Sequence, residues 1–224
     1  MKTPQLRILV IAASLALGGA AHAQFAALSG LGKGSPASNS GGDISADVES
    51  FVGQSATLQE LSAFALQKVN AAFKTDEEIQ GKRAEREAIE RMTDPKEKES
   101  RLSAMIKSEG AEFDNLSKSA DLESRVKTLS ADKKRWIADA LLNLGIAGLR
   151  APALSTTGQS ILQKAGASPA NLSKISPVKN ALPQLAKFVE YSAAAAGGFA
   201  KVLKGADISV QVAKADSKPS TGTF

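Results

Sequence analysis

Two serines in this chain have a lysine at the spacing of an activated nucleophile. Ser130 precedes Lys133 and Ser176 precedes Lys179 by three residues. At a helix start that spacing lets the lysine take the serine proton in acyl transfer. Both serines also stand where a helix N-cap is expected, and the companion Ser-Asp-Asn and Lys-Thr-Gly motifs are absent. The sequence therefore assigns both to capping. A second candidate is acidic: Glu85, Glu87, Glu90, Glu97 and Glu99 flank the turn between two helices. Paired carboxylates could hold a hard cation or do acid/base work on a sugar. Lys82, Arg83, Arg86, Arg91, Lys96 and Lys98 interleave with them, and apolar residues that would shift a carboxylate pKa are few. Interleaved signs describe a solvated, ion-paired surface.

The only histidine is His22 and there is no cysteine. Residues 1–23 have the order of a cleavable secretory signal: Lys2 and Arg7, an apolar run over 8–17, then Ala21-His22-Ala23. That run is too short for roughly 30 Å of hydrocarbon. Cleavage after Ala23 would remove His22, leaving no His or Cys for a catalytic triad, a zinc site or a disulfide. No catalytic, cofactor-binding or metal-ligating residue is assigned, no cofactor is expected, and the chain reads as a non-enzyme. The absence of a lipobox cysteine and the A-x-A site place the expected mature protein in the bacterial periplasm or outside the cell.

Losing Lys2 and Arg7 lowers the formal charge from +5 to +3. That is no nucleic-acid footprint, which requires a dense basic patch. Residues 74–135 hold fifteen basic and fifteen acidic side chains, and 136–224 hold nine basic and four acidic. A protein partner in the cell envelope is expected and no nucleic acid. A membrane surface is the lesser expectation, and the oligomeric state is not specified.

The elements that must position these residues are all helical. Residues 24–42 are a Gly/Ser-rich leader. From Ile44, apolar residues recur at three and four through Phe73, giving a long helix with one apolar face, which Asp43 can cap. Thr75 and Glu78 form a capping box for a highly charged helix to Met92, with Glu78/Lys82 and Glu87/Arg91 as i,i+4 pairs. Asp94-Pro95 starts the next helix, with Glu97 completing a second box. These two make a charged antiparallel hairpin whose first arm either projects or touches the core along a narrow seam. A short helix near 120–128 follows. Ser130 caps a helix that Pro152 should end or kink, and another piece covers about 154–165. Ser176-Pro177 opens a final helix over about 177–204, which Pro183 should bend. Its small-residue run at 193–198 lets another helix approach. Ile208–Val212 alternates as a strand would, then a polar tail follows, docked or frayed.

The fold is therefore all-α: a single bundle of five to seven helices over 43–205, with a flexible N-terminal leader at 24–42 and a flexible C-terminal tail at 206–224. The candidate interaction residues are Trp136, Ile137, Leu141, Leu144, Arg86 and Arg91. The first four belong to 136–149, which is apolar on most faces, so it is central in a bundle or meets lipid. Its fourteen residues between basic flanks are too few to span a membrane. Gly145 and Gly148 allow close helix crossing. The expected role is binding, scaffolding or chaperone-like; the alternative is a membrane-active protein that exposes 136–149. In general character (secreted, basic, helical, without cysteine) the chain is similar to periplasmic holdase chaperones, a likeness of composition and not of motif.

Overall fold

The computed structural model describes residues 43–206, 208, 211–222 and 224. The expected signal peptide and leader, and Ser209 and Val210 of the strand-like alternation, lie outside the described residues. Among the described residues seven α-helices follow in order: α1 (Ser45–Ala71), α2 (Asp76–Glu90), α3 (Pro95–Ser117), α4 (Leu122–Thr128), α5 (Ala131–Gly166), α6 (Ser176–Ala194) and α7 (Ala200–Gly205). A 3-10 turn, Pro169–Lys174, precedes α6, and one π-helical turn, Ala195–Phe199, joins α6 to α7. No strand occurs among the described residues.

Several boundaries were set by chemistry visible in the chain. Glu78 N–H donates to Thr75 Oγ1 at 3.4 Å while Thr75 N–H donates to Glu78 Oε2 at 2.9 Å, so the capping box forms. Asp94 accepts from the amides of Lys96 and Glu97 at 2.8 and 3.3 Å, with Pro95 at the first helical position. Ser130 accepts from the Lys133 amide at 3.3 Å. Ser176 makes no capping bond, because α6 begins one residue earlier, after Ile175.

Pro152 neither ends nor divides its helix. The two pieces expected at 131–152 and 154–165 are one helix of 36 residues. An internal proline costs about 3 kcal/mol in an isolated helix. Here Ile146, Ala147, Ala151 and Leu154 are all buried around it. Thr156 and Thr157 hydroxyls also donate back to the carbonyls of Pro152 and Ala153 at 3.1 and 3.2 Å. Tertiary cover thus holds a helix that local propensity would interrupt. Unbroken at Pro152, α5 is long and apolar enough to cross a membrane, unlike the fourteen-residue stretch expected to be too short; most of its apolar stretch is buried in the bundle.

α5 packs chiefly on α6 and α1, and α3 lies along α1. Glycine permits the closest crossing: a Cβ on Gly148 would lie 2.1 Å from the Ser192 Cβ of α6. At the π turn, a Cβ on Gly198 would stand 3.3 Å from the Ser117 carbonyl of α3, the close approach foreseen for the small-residue run. Phe51, Leu66, Phe113, Leu144, Leu185, Phe188 and Phe199 anchor one continuous core, with Phe113 and Phe199 stacked at 5.1 Å.

α1 departs from the one-faced helix expected. Its second half is buried all round, including Ser62, Gln67, Lys68 and Asn70. The polar side is covered by α2, α3 and the tail. Asn70 Nδ2 donates to the Glu109 carbonyl at 2.9 Å and to Glu109 Oε2 at 2.6 Å, and Lys82 pairs with the same carboxylate. Gln67 Nε2 donates to Glu85 at 3.2 Å. The charged arm is thus a lid on polar side chains, seated through Ile79 and Ile89, the narrow seam anticipated. Lys82 consequently does not pair with Glu78, which faces Lys74 at 3.8 Å instead.

Candidate functional site

Two buried cations mark the site. Lys68 of α1 is 3% exposed and Arg150 of α5 is 6% exposed. Lys68 Nζ donates to Asp139 at 3.1 Å and to the Gly222 carbonyl at 2.6 Å. Arg150 donates from Nε to the Ala215 carbonyl and from Nη2 to the Ser217 carbonyl, both at 2.9 Å. Asn143 reads one residue twice: Nδ2 donates to the Ser220 carbonyl at 2.9 Å, and Oδ1 accepts from the Ser220 N–H at 2.8 Å. Arg83 of α2 donates from Nε to the main-chain oxygen of Phe224.

Apart from Lys68–Asp139, these bonds all end on the main chain of one irregular segment, residues 215–222, and of Phe224. Residues 211–222 form no helix or strand, and of the two expectations for the tail, docked or frayed, these bonds give the docked one. The accepting main-chain oxygens fall at 215 and 217, where the chain turns and Ser217 N–H donates to the Lys214 carbonyl at 3.0 Å, and then at 220, 222 and 224. On α5, Trp136, Asp139, Asn143 and Arg150 follow one another at three, four and seven residues, so helix geometry sets them in one stripe. That stripe, with Lys68 from α1 and Arg83 from α2, forms a groove that the tail fills.

Three side-chain fits accompany the main-chain bonds. A Cβ on Gly145 would come 2.7 Å from Ala213 Cβ, so α5 is notched for the tail there. A Cβ on Gly222 would meet Asp139 Oδ2 at 3.2 Å and Lys68 Nζ at 3.3 Å. Phe224, 4% exposed, packs with Ala71 and Ile79 and stands edge-on to Trp136 at 5.9 Å. Beyond the two rings opens a cavity of about 440 Å³ bordered by Arg83, Arg86 and Glu90.

Burial pulls the Lys68 ammonium below the ordinary lysine value, against the opposing charge of Asp139. Burial acts the same way on Arg150, opposed by Asp216. No Asp or Glu side chain stands within ion-pair distance of Arg150 or Arg83 among the described residues. Their charge is met mainly by the tail's main-chain oxygens.

The residues singled out from sequence divide sharply. Ile137, Leu141 and Leu144 are core, at 0%, 5% and 0% exposure, and present no interaction surface; α1 and α6 cover them. Trp136 is half-buried at the groove end. Arg86 borders the same cavity, lies 4.6 Å over the Phe64 ring and pairs with Glu90 at 2.8 Å. Arg91 is exposed and bonded to Glu87 at 3.1 Å, away from the groove. Lys68, Asn143 and Arg150 were not among the residues expected from sequence, and the tail was expected only as docked or frayed, without a groove to hold it. The available signal was the polar spacing on a helix that is otherwise apolar.

The acyl-transfer geometry does not assemble. Ser130 is occupied as a cap, and Lys133 Nζ donates to the Lys74 carbonyl at 2.8 Å. Ser176 and Lys179 are exposed and not hydrogen-bonded to each other. Glu85, Glu87, Glu90, Glu97 and Glu99 are all exposed. No group of His, Cys, Asp and Glu among the described residues could hold a metal ion. Compared with protein-family models, with curated proteins and with solved structures, the chain matches none.

Proposed function

We propose that this is a non-enzymatic binding protein of the bacterial envelope, periplasmic or secreted, that grips an extended polypeptide along α5. One observation carries the reading. Buried or groove-lining polar side chains from three helices hydrogen-bond the main chain of an irregular segment, and main-chain bonds are how an extended peptide is held without regard to most of its sequence. The secretory character of residues 1–23 and the absence of His and Cys from the expected mature chain support the setting and the lack of catalysis.

The test pins the tail. The chain has no cysteine, so Asn143→Cys with Ser220→Cys creates one reversible crosslink between groove and tail. The reduced protein should capture a permanently unfolded polypeptide in a crosslinking assay, and the oxidised protein should lose that capture. Equal capture in both states, or none by the unsubstituted protein, would sink the reading.

The membrane-active alternative draws on the length and apolarity of α5. It requires 136–149 to leave the centre of the bundle, where Ile137 and Leu144 are fully buried. Co-flotation of the mature protein with anionic vesicles at neutral or low pH would favour it, and absence from the floated fraction at both would remove it.

A further inference from the structure

We propose that the docked tail and the first half of α2 form one lid over α1 that opens as a unit, so that releasing Phe224 unravels residues 76–83 and unravelling them frees the tail. The inference concerns how the fold opens, and it stands whether or not the groove takes a peptide.

Phe224 is the joint. With Ala71 of α1 and Ile79 of α2 it forms a small apolar cluster, separate from the main core, against which Trp136 of α5 packs. Arg83, one turn beyond Ile79, donates from Nε to the Phe224 main-chain oxygen. A spacing of four sets Ile79 and Arg83 on one face of α2. Each half of the lid therefore completes the other. Without the ring, Ile79 loses its cover. Without a helical turn over 79–83, the ring loses a wall and its hydrogen bond.

Away from this joint the first half of α2 is weakly held. Only Ile79 and Ile89 are buried in that helix, and Ile89 belongs to the main core. Residues 76–83 thus have one buried apolar anchor, the one they share with the tail. Gly81 lies between Ile79 and Arg83 with nothing within 4 Å of an added Cβ. No packing calls for a glycine there, and it lowers the helix propensity of that turn. The remaining tie to α3 is the Lys82–Glu109 ion pair.

Beneath the lid lie groups that gain from water. Gln67 Oε1 and Asn70 Oδ1 are buried without a hydrogen-bond partner, and Lys68 between them in sequence is 3% exposed. Buried acceptors left unmet cost free energy that solvation returns. Arg86 of α2 also repels Lys68. Opening exchanges the Phe224–Ile79 contact and the Lys68–Gly222 bond for hydration of the polar side of α1. That exchange sets the lid at the low end of the local stabilities in the fold.

The test is native-state hydrogen exchange, read residue by residue on the full mature chain. Two substitutions each act on one half of the lid. Asn143→Ala removes both bonds to Ser220, and Asn143 hydrogen-bonds no residue of α2 among the described residues. Gly81→Ala strengthens α2 and adds a carbon that reaches no atom of the tail. In the parent protein the Ser220 amide and the amides of 79–83 should exchange faster than that of Leu144 in the core. The Ile79 amide, held by the Thr75 carbonyl at 3.0 Å, reports the first turn of the arm. Asn143→Ala should speed exchange over 79–83 at least about tenfold, the worth of its two hydrogen bonds. Gly81→Ala should slow exchange at Ser220 about threefold, the gain of alanine over glycine in a helix. An unchanged rate at either remote position would overturn the coupling and leave tail and arm as independent flaps. Protection of Ser220 and 79–83 equal to that of Leu144 in the parent would also overturn it, because no lid would then open apart from the core.

Discussion

The substitution Phe224→Ala isolates the anchor of the tail. Its ring is 4% exposed in a pocket with Ala71, Ile79 and Trp136, separate from the main core. Burying a phenylalanine contributes about 1.5–3 kcal/mol. The edge-on contact with Trp136 adds about 0.5–1.5 kcal/mol. Removing both should cost the docked state about 3 kcal/mol, a shift of about a hundredfold between docked and released tail. The loss should stay local, because the continuous core through Phe51, Phe113 and Leu144 does not use Phe224. Two readouts follow. Trp136 is the only tryptophan, so its emission should move to the red as water replaces the ring. The Ser220 amide, held by Asn143 Oδ1 at 2.8 Å, should exchange its hydrogen up to about a hundredfold faster while core amides keep their protection. Unchanged emission together with an unchanged Ser220 exchange rate would show that the aromatic anchor does not hold the tail.

Other substitutions test the bundle itself. Gly148→Ala should lower Tm by about 5–10 °C in a thermal melt, since its Cβ would stand 2.1 Å from Ser192 Cβ and force α5 and α6 apart. Gly81→Ala, in the interior of α2 with nothing within 4 Å of the added carbon, should raise stability by about 0.5–1 kcal/mol in a denaturant titration. For pH, the Thr75 main-chain N–H and hydroxyl hold the Glu78 carboxyl below the ordinary glutamate value of 4.5. A depressed carboxylate stabilises the fold above that value and loses the contribution as pH falls through the folded one. Glu78→Gln should therefore make the decline of stability shallower as pH falls below about 4.5; an identical acid limb would refute the linkage.

Much of the helical framework was legible because its signals are local. The Thr75–Glu78 box, Asp94-Pro95 and the Ser130 cap each satisfy amides within three residues, so their chemistry is complete within a few positions of chain. The site was not legible, for the opposite reason. Lys68 meets Gly222 across 154 residues and Arg150 meets Ser217 across 67. Neither contact leaves a periodic trace. Asp139 and Asn143 were visible only as interruptions in an apolar helix. Trp136 and Arg86 were singled out for being aromatic or charged, and the fold brings them to one cavity without using Ile137, Leu141 or Leu144 there.

From the sequence alone come the all-helical class, most helix starts and the expectation that no His or Cys chemistry operates after cleavage at Ala23. These follow from residue type and near-neighbour spacing, which the chain carries with it. The tertiary structure decided three things. It buried the polar side of α1 beneath the charged arm, it carried α5 through Pro152, and it laid the tail into a groove. Each depends on cover supplied by distant segments. Burial decides whether a lysine is a solvated charge or a buried donor, and whether a proline breaks a helix or is carried within one. Burial is a property of the assembled chain, which no short stretch of residues contains.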